Sequence, residues 1–302
     1  MFVFTLEALY ANIAGPLGHP VPNVLGHLGF AVLLIGFGHS ALQMVGQREQ
    51  RLRAIESELE VAREIQNAIL PKDVPHLEGV DVAATYQPMT EVAGDFYEFL
   101  PVDDQHAGFL VADVCGHGVP AALIASMLKV AVQSVAASAS DPGKLLAELN
   151  RALWGPLRGK LVSAAYLWLD MEEQRALYSA AGHPPLLHKN HDVQAIESNG
   201  LLFGVMAGAQ YPVKEIRLSH GDRLLMYTDG ASDPENAAGD SFGETKLSAL
   251  LKEKVPAAEL SERITAELHR WQVSPQSAKT ALLGDPGPEQ QDDITLIVMD
   301  VL

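Results

Sequence analysis

With one cysteine in 302 residues, Cys115, the chain has no partner for an internal disulfide and no Cys pair for a zinc site. That scarcity points to a reducing, intracellular setting for the main body. Basic residues are scarce too. Lys and Arg number 21 against 38 Asp and Glu, and the formal charge of −17 disfavours non-specific attachment to nucleic acid or to an acidic membrane face, so no nucleic-acid partner is expected. The surplus carboxylates are either solvated surface or available to hard cations. Charge is missing altogether between Glu7 and Arg48, where no Asp, Glu, Lys or Arg occurs. What is plentiful is apolar side chain: a 48% hydrophobic fraction supports a sizeable core in two domains or one large one, and excludes a low-complexity chain.

Within the uncharged interval, residues 24–38 read VLGHLGFAVLLIGFG, and 24–45 supply the roughly 20 apolar residues that a membrane-spanning helix needs, although His27, His39, Ser40 and Gln43 weaken the run. Arg48, Arg51 and Arg53 follow at once, which orients a single-pass helix with the C-terminal body in the cytoplasm, at the inner face of the cytoplasmic membrane. A secretory signal peptide fits less well, because there is no basic n-region and no clear small-x-small cleavage site. The competing reading is an apolar helix packed in a dimer interface or against the body. Residues 47–71 then form a charged helical linker in which Leu52, Ile55, Leu59, Ala62, Ile65 and Ile69 make one apolar stripe, ended by Pro71. Such a stripe suits either a parallel coiled coil that makes the chain a homodimer or an ordinary amphipathic helix laid on the next domain.

From residue 79 the pattern is mostly strand. Strands are expected around GVDVAATY, DFYEFLPV, AGFLVADV, LVSAAYLWLD, RALYSAAG, VKEIRLS, RLLMYTDG and DITLIVMDV, and helices over 118–137, 141–153, 243–254 and 257–271. Strands in runs with helices in pairs favour an α+β layered sandwich over strict βαβ alternation. The stretch SPQSAKTALLGDPGPEQ, 274–290, reads as loop. The division expected is 1–46, 47–71 and a body over 72–302.

Four of the strands carry an aspartate at or just beyond an end: Asp95 before FYEFL, Asp113 after GFLVA, Asp229 after RLLMYT and Asp292 ahead of ITLIV. Hard divalent cations take oxygen ligands, so carboxylates on rigid strand ends suit Mg²⁺ or Mn²⁺. Taken singly, each of these residues reads first as a turn-forming or capping residue. Spacing alone does not bring together four residues so far apart in sequence.

Five motifs in order, EVAGDFYEF, ADVCGHGVPAAL, AGHPP, YTDG and DDITLIV, preceded by REIQNAILP, resemble those of the SpoIIE/RsbU-like serine/threonine phosphatases of the metal-dependent PPM (protein phosphatase 2C-type) family, over about 62–302. The resemblance implies a sandwich of two antiparallel β-sheets flanked by α-helices, with two Mn²⁺ or Mg²⁺ ions at one end. It implies that Asp113 bridges both ions, that Asp95 and the Val114 carbonyl serve one, and that Asp229 and Asp292 serve the other. Asp293 would support by hydrogen bonding. These residues, Asp95, Asp113, Asp229 and Asp292, would be the catalytic set, and a hydroxide shared by the ions would attack phosphoserine or phosphothreonine in line. The implied substrate is a phosphorylated regulatory protein, an anti-sigma-factor antagonist of the STAS type.

Cys115 stands where that family usually has serine; it reads as a small packing residue or a redox switch. His117 suits either a proton donor to the leaving alcohol or a turn histidine bonded to backbone, and His183 a brace at a strand turn. Ala93 replaces a glycine common in the family. Two further functions compete: a catalytically silent, membrane-tethered partner-binding module, and a two-metal hydrolase of nucleotides or small phosphoesters.

Overall fold

A computed structural model describes residues 13, 24–236, 239–272 and 292–302. The expected loop at 274–290 lies outside the described residues. The chain divides into two units, Met1–Glu58 and Leu59–Leu302. In its described part the first unit is helical: helix α1 spans Val24–Ile69, so the apolar stretch and the charged linker form one uninterrupted helix. Its apolar side chains Val32, Ile35, Phe37 and Leu42 are exposed, as are Leu52, Ile55 and Ile65 of the linker stripe. By length and composition the helical stretch Phe30–Ile69 could cross a membrane.

The second unit is built on two five-stranded antiparallel sheets. Sheet one has the order β1–β10–β9–β6–β7, from strands β1 (Val80–Gln87), β6 (Leu186–Lys189), β7 (Val193–Ile196), β9 (Arg223–Tyr227) and β10 (Ile294–Val301). Sheet two has the order β2–β3–β4–β5–β8, from β2 (Phe96–Pro101), β3 (His106–Val114), β4 (Val162–Asp170), β5 (Arg175–Ala181) and β8 (Lys214–Arg217). The helices are α2 (Val119–Val135), α3 (Pro142–Leu153), α4 (Gly243–Leu251) and α5 (Ala257–Gln272). Asp141 caps α3, its carboxylate accepting the Lys144 N–H at 3.0 Å, and Pro142 sits in the first turn where its missing N–H costs nothing.

The period of two along the strands sorts side chains between two cores. In β10, Ile297, Met299 and Val301 join a large core shared with sheet two, whereas Ile294, Leu296 and Val298 face a second core with α4 and α5. Strand β9 divides the same way, Leu224 and Met226 against Leu225 and Tyr227. Both faces are therefore buried, which explains why these antiparallel strands read as continuous apolar runs. The short hairpin β6–β7, turning at 190–192, is not among the expected strands. Four residues per strand give too little alternation to stand out.

Candidate functional site

The register of the strands delivers the aspartates to one end of the sandwich. In sheet two Phe96 pairs with Ala112, so Asp95, just ahead of β2, comes level with Asp113 near the end of β3. In sheet one Leu296 pairs with Tyr227, and the Thr228 N–H donates to the Thr295 carbonyl at 3.1 Å. Asp229, which opens a 3-10 turn (Asp229–Ala231), and Asp292 therefore meet beyond the same edge. Gly230 permits that meeting, because a methyl there would stand 1.8 Å from the Asp293 carbonyl oxygen.

Asp95 joins the two sheets. Its side chain is buried, and its Oδ2 accepts from the Thr228 hydroxyl, just past β9, at 2.7 Å and from the Thr295 hydroxyl, in β10, at 2.5 Å. Thr228 Oγ1 in turn accepts the Thr295 N–H at 3.0 Å. Asp293 anchors the approach to β2, with Oδ1 accepting from the Met89 N–H and Oδ2 from the Gly94 N–H, each at 2.7 Å. The buried Gln66 of α1 clamps the same loop, accepting from the Ala93 N–H at 3.0 Å and donating to the Ala93 carbonyl at 2.8 Å. Neither threonine nor Gln66 is singled out by sequence reasoning. Thr228 and Thr295 do lie inside the YTDG and DDITLIV motifs, and polar residues next to an aspartate at a strand end were the available signal.

Charge couples the carboxyl groups. Burial, then Asp113, pushes the Asp95 carboxyl far above the usual carboxylate range against the pull of its two threonine bonds. Burial, then Asp229, Asp292 and Asp293, raises Asp113 to about 7. Burial raises Asp229 as well, followed by Asp292 and Asp233. A cation placed among these carboxyl groups would relieve both the cost of their burial and their mutual repulsion. The donors are hard oxygens, and the backbone is cut close: a methyl on Gly94 would lie 3.0 Å from the Val114 carbonyl oxygen and 3.2 Å from that of Gly116. This donor set suits Mg²⁺ or Mn²⁺ and offers nothing a zinc ion prefers. Among the described residues, no group of three or more His, Cys, Asp or Glu side chains already stands in ligating arrangement. The four aspartates are thus electrostatic neighbours, brought together by the fold without forming a closed cage.

Around them, Cys115, Gly116 and His117 make an exposed turn, and α2 begins directly after it at Val119. His183 lies nearby in sequence pairing: its Nδ1 is 2.8 Å from the hydroxyl of Ser163, the residue opposite Asp113. Its Nε2 is buried, and burial lowers the imidazole to about 4 against the opposing pull of a backbone hydrogen bond at Tyr227.

Two antiparallel sheets flanked by helices, with an acidic cluster at one end, define a PP2C-type domain. The SiaA-PP2C domain of Pseudomonas aeruginosa superposes with a TM-score of 0.69 at 25% identity, over 82% of this chain and 96% of that one. The family model for Stage II sporulation protein E (SpoIIE) matches residues 103–302, and the chain belongs to that family. Among curated relatives, phosphoserine phosphatase RsbU of Bacillus subtilis is 30% identical over 220 residues, 70% of this chain and 64% of its own. Phosphoserine phosphatase RsbP of the same organism is 30% identical over 220 residues, 70% of this chain and 53% of its own. The chain thus spans somewhat over half the length of these relatives. Asp95 lies ahead of the region that the family model matches.

Proposed function

We propose that the chain is a Mn²⁺- or Mg²⁺-dependent protein phosphatase that hydrolyses phosphoserine or phosphothreonine in a regulatory protein, with a phosphorylated STAS-type antagonist as its substrate. The observation that carries this reading is the register of β2 with β3 and of β9 with β10, which leaves Asp95, Asp113, Asp229 and Asp292 at one end of a PP2C-type sandwich. Kinship to two phosphoserine phosphatases supports phosphoserine as the group hydrolysed.

In this reading Asp95, Asp113, Asp229 and Asp292, with the Val114 carbonyl, would hold the divalent cations. Divalent cations held there supply Lewis acidity, lowering the pKa of water and offsetting charge on the phosphoryl oxygens. The chain's own residues set the geometry. Thr228 and Thr295 hold the Asp95 carboxyl at a single oxygen across the seam between the sheets, so its position follows the sandwich rather than a loop. Asp293 and Gln66 fix the 89–94 loop that delivers it. No protein nucleophile is needed: the lone cysteine, Cys115, sits in no Cys-x₅-Arg loop, and its thiol is raised by burial and by Asp113. The apolar part of α1 inserts in the cytoplasmic membrane with the phosphatase body on the cytoplasmic side, and the linker stripe pairs two copies.

The test is phosphate release from a phosphoserine protein with Mn²⁺ by the wild type and by Asp113→Asn. The expected result is hydrolysis by the wild type and its loss, by at least about a thousandfold, in the variant. An Asp113→Asn protein as active as the wild type contradicts the assignment.

A further inference from the structure

The turn between α3 and β4 presents a lysine to the site from a tightly determined backbone. Arg158 and Gly159 both take left-handed conformations, φ 49° and 85°, so the chain reverses in two residues and the Lys160 N–H closes on the Leu157 carbonyl at 2.9 Å. A left-handed arginine costs on the order of 1 kcal/mol and persists where neighbours over-determine it. They do so here. Val162 and Phe203 exchange backbone hydrogen bonds at 3.2 and 2.9 Å, and the Cys115 N–H donates to the Leu161 carbonyl at 3.0 Å. The buried Asn150 donates to the Met206 carbonyl at 2.8 Å and accepts from the Gly204 N–H at 3.1 Å. Gly204 itself approaches so closely that a methyl there would lie 2.6 Å from the Lys160 carbonyl oxygen.

On this fixed backbone the Lys160 side chain is exposed, and its ammonium sits over the turn that follows Asp113. A methyl on Gly116, φ 104°, would stand 3.4 Å from Nζ. The carbonyl of the same Gly116 would meet a methyl on Gly94, the residue before Asp95, at 3.2 Å. One glycine therefore separates the ammonium from the loop of the buried aspartate. Among the described residues the Lys160 ammonium makes no ion pair within 4.0 Å.

We infer that Lys160 is the side chain that receives the non-bridging phosphoryl oxygens of the substrate. The inference rests on the phosphatase reading and deepens it. A phosphate dianion approaching bunched carboxylates is repelled by them, and a mobile point charge with three donors at the rim compensates in the bound and the reacting states. Arginine, the usual bidentate phosphate ligand, is not required by this geometry.

The test uses the full chain loaded with Mn²⁺, with inorganic phosphate as probe, measured by calorimetry alongside kcat and KM on a phosphoserine protein. Lys160→Met is expected to weaken phosphate binding roughly tenfold, the scale of one charge-assisted hydrogen bond, and to raise KM more than it lowers kcat. Lys160→Arg is expected to restore most of the phosphate affinity, with melting temperatures unchanged throughout. Lys160→Gln serves as the neutral variant should the methionine protein melt early. Phosphate bound as tightly by the neutral variants as by the wild type, or not bound by the wild type at all, overturns the inference. Phosphate bound through Lys160 without turnover of any phosphoserine protein sinks the phosphatase reading instead and leaves the anion site standing.

Discussion

Burial leaves the carboxyl of Asp95 dependent on what surrounds it, and two threonine hydroxyls from the other sheet converge on its Oδ2. Leaving a buried polar group without one of its partners costs about 1–3 kcal/mol, so Thr295→Val, which keeps the shape and removes the donor, is expected to lower unfolding free energy by about that much in a denaturant titration. A variant as stable as the wild type shows the bond to be idle. His183 gives a second reading through pH. Its imidazole titrates near 6.5 unfolded but at about 4 folded, so the folded state holds fewer protons and the histidine's contribution is complete above pH 6.5. That contribution is lost as pH falls towards 4, by up to about 3 kcal/mol, and His183→Gln is expected to flatten this part of the stability curve. Equal slopes for both proteins would exclude the histidine as the cause. At this scale each aspartate stood out as a carboxylate at the end of an apolar strand, but the four were linked as a set only by the resemblance of the motifs that carry them. Thr228, Thr295 and Gln66 did not stand out, since a hydroxyl or amide becomes informative only when its partner, 133, 200 or 27 positions away, is known.

Among the elements, β9 and β10 do most to shape the site, and their meeting depends on Gly230. Gly230→Ala drives a methyl to 1.8 Å from the Asp293 carbonyl oxygen, where backbone cannot yield cheaply. The expected result is a loss of more than about 3 kcal/mol of stability with separation of Asp229 from Asp292, seen as a lowered melting temperature and weakened Mn²⁺ binding. The long strands and the four body helices were readable from period and caps, with boundaries moved by a few residues. The β6–β7 hairpin escaped because two strands of four residues lack a period. Helix α1 poses the remaining question at this scale, for Leu52, Ile55 and Ile65 lie exposed along it at helical spacing. Paired linkers would cover them, so residues 47–302 are expected to sediment as a dimer and Leu52→Glu as a monomer. A wild-type monomer at high concentration contradicts the pairing.

For the whole molecule, the exposed apolar side chains of α1 and the net charge of −17 pull in opposite directions, one toward lipid and the other toward water. The full chain is expected in the membrane fraction, released by detergent, and residues 47–302 in the soluble one; a full chain soluble without detergent would deny the insertion. Runs of strands and pairs of helices conveyed a layered α+β sandwich, and its two antiparallel sheets came from the family resemblance of the ordered motifs. The convergence of the strand ends depends on register, which no spacing in the chain records. The claim beneath everything proposed here is that this convergence makes a seat for divalent cations. Calorimetric titration of Mn²⁺ into the wild type, Asp113→Asn and Asp229→Asn tests it most directly. Saturable binding by the wild type, weakened roughly tenfold or more in each variant, is the expected result. Binding of equal strength in all three proteins, or none in any, would contradict it.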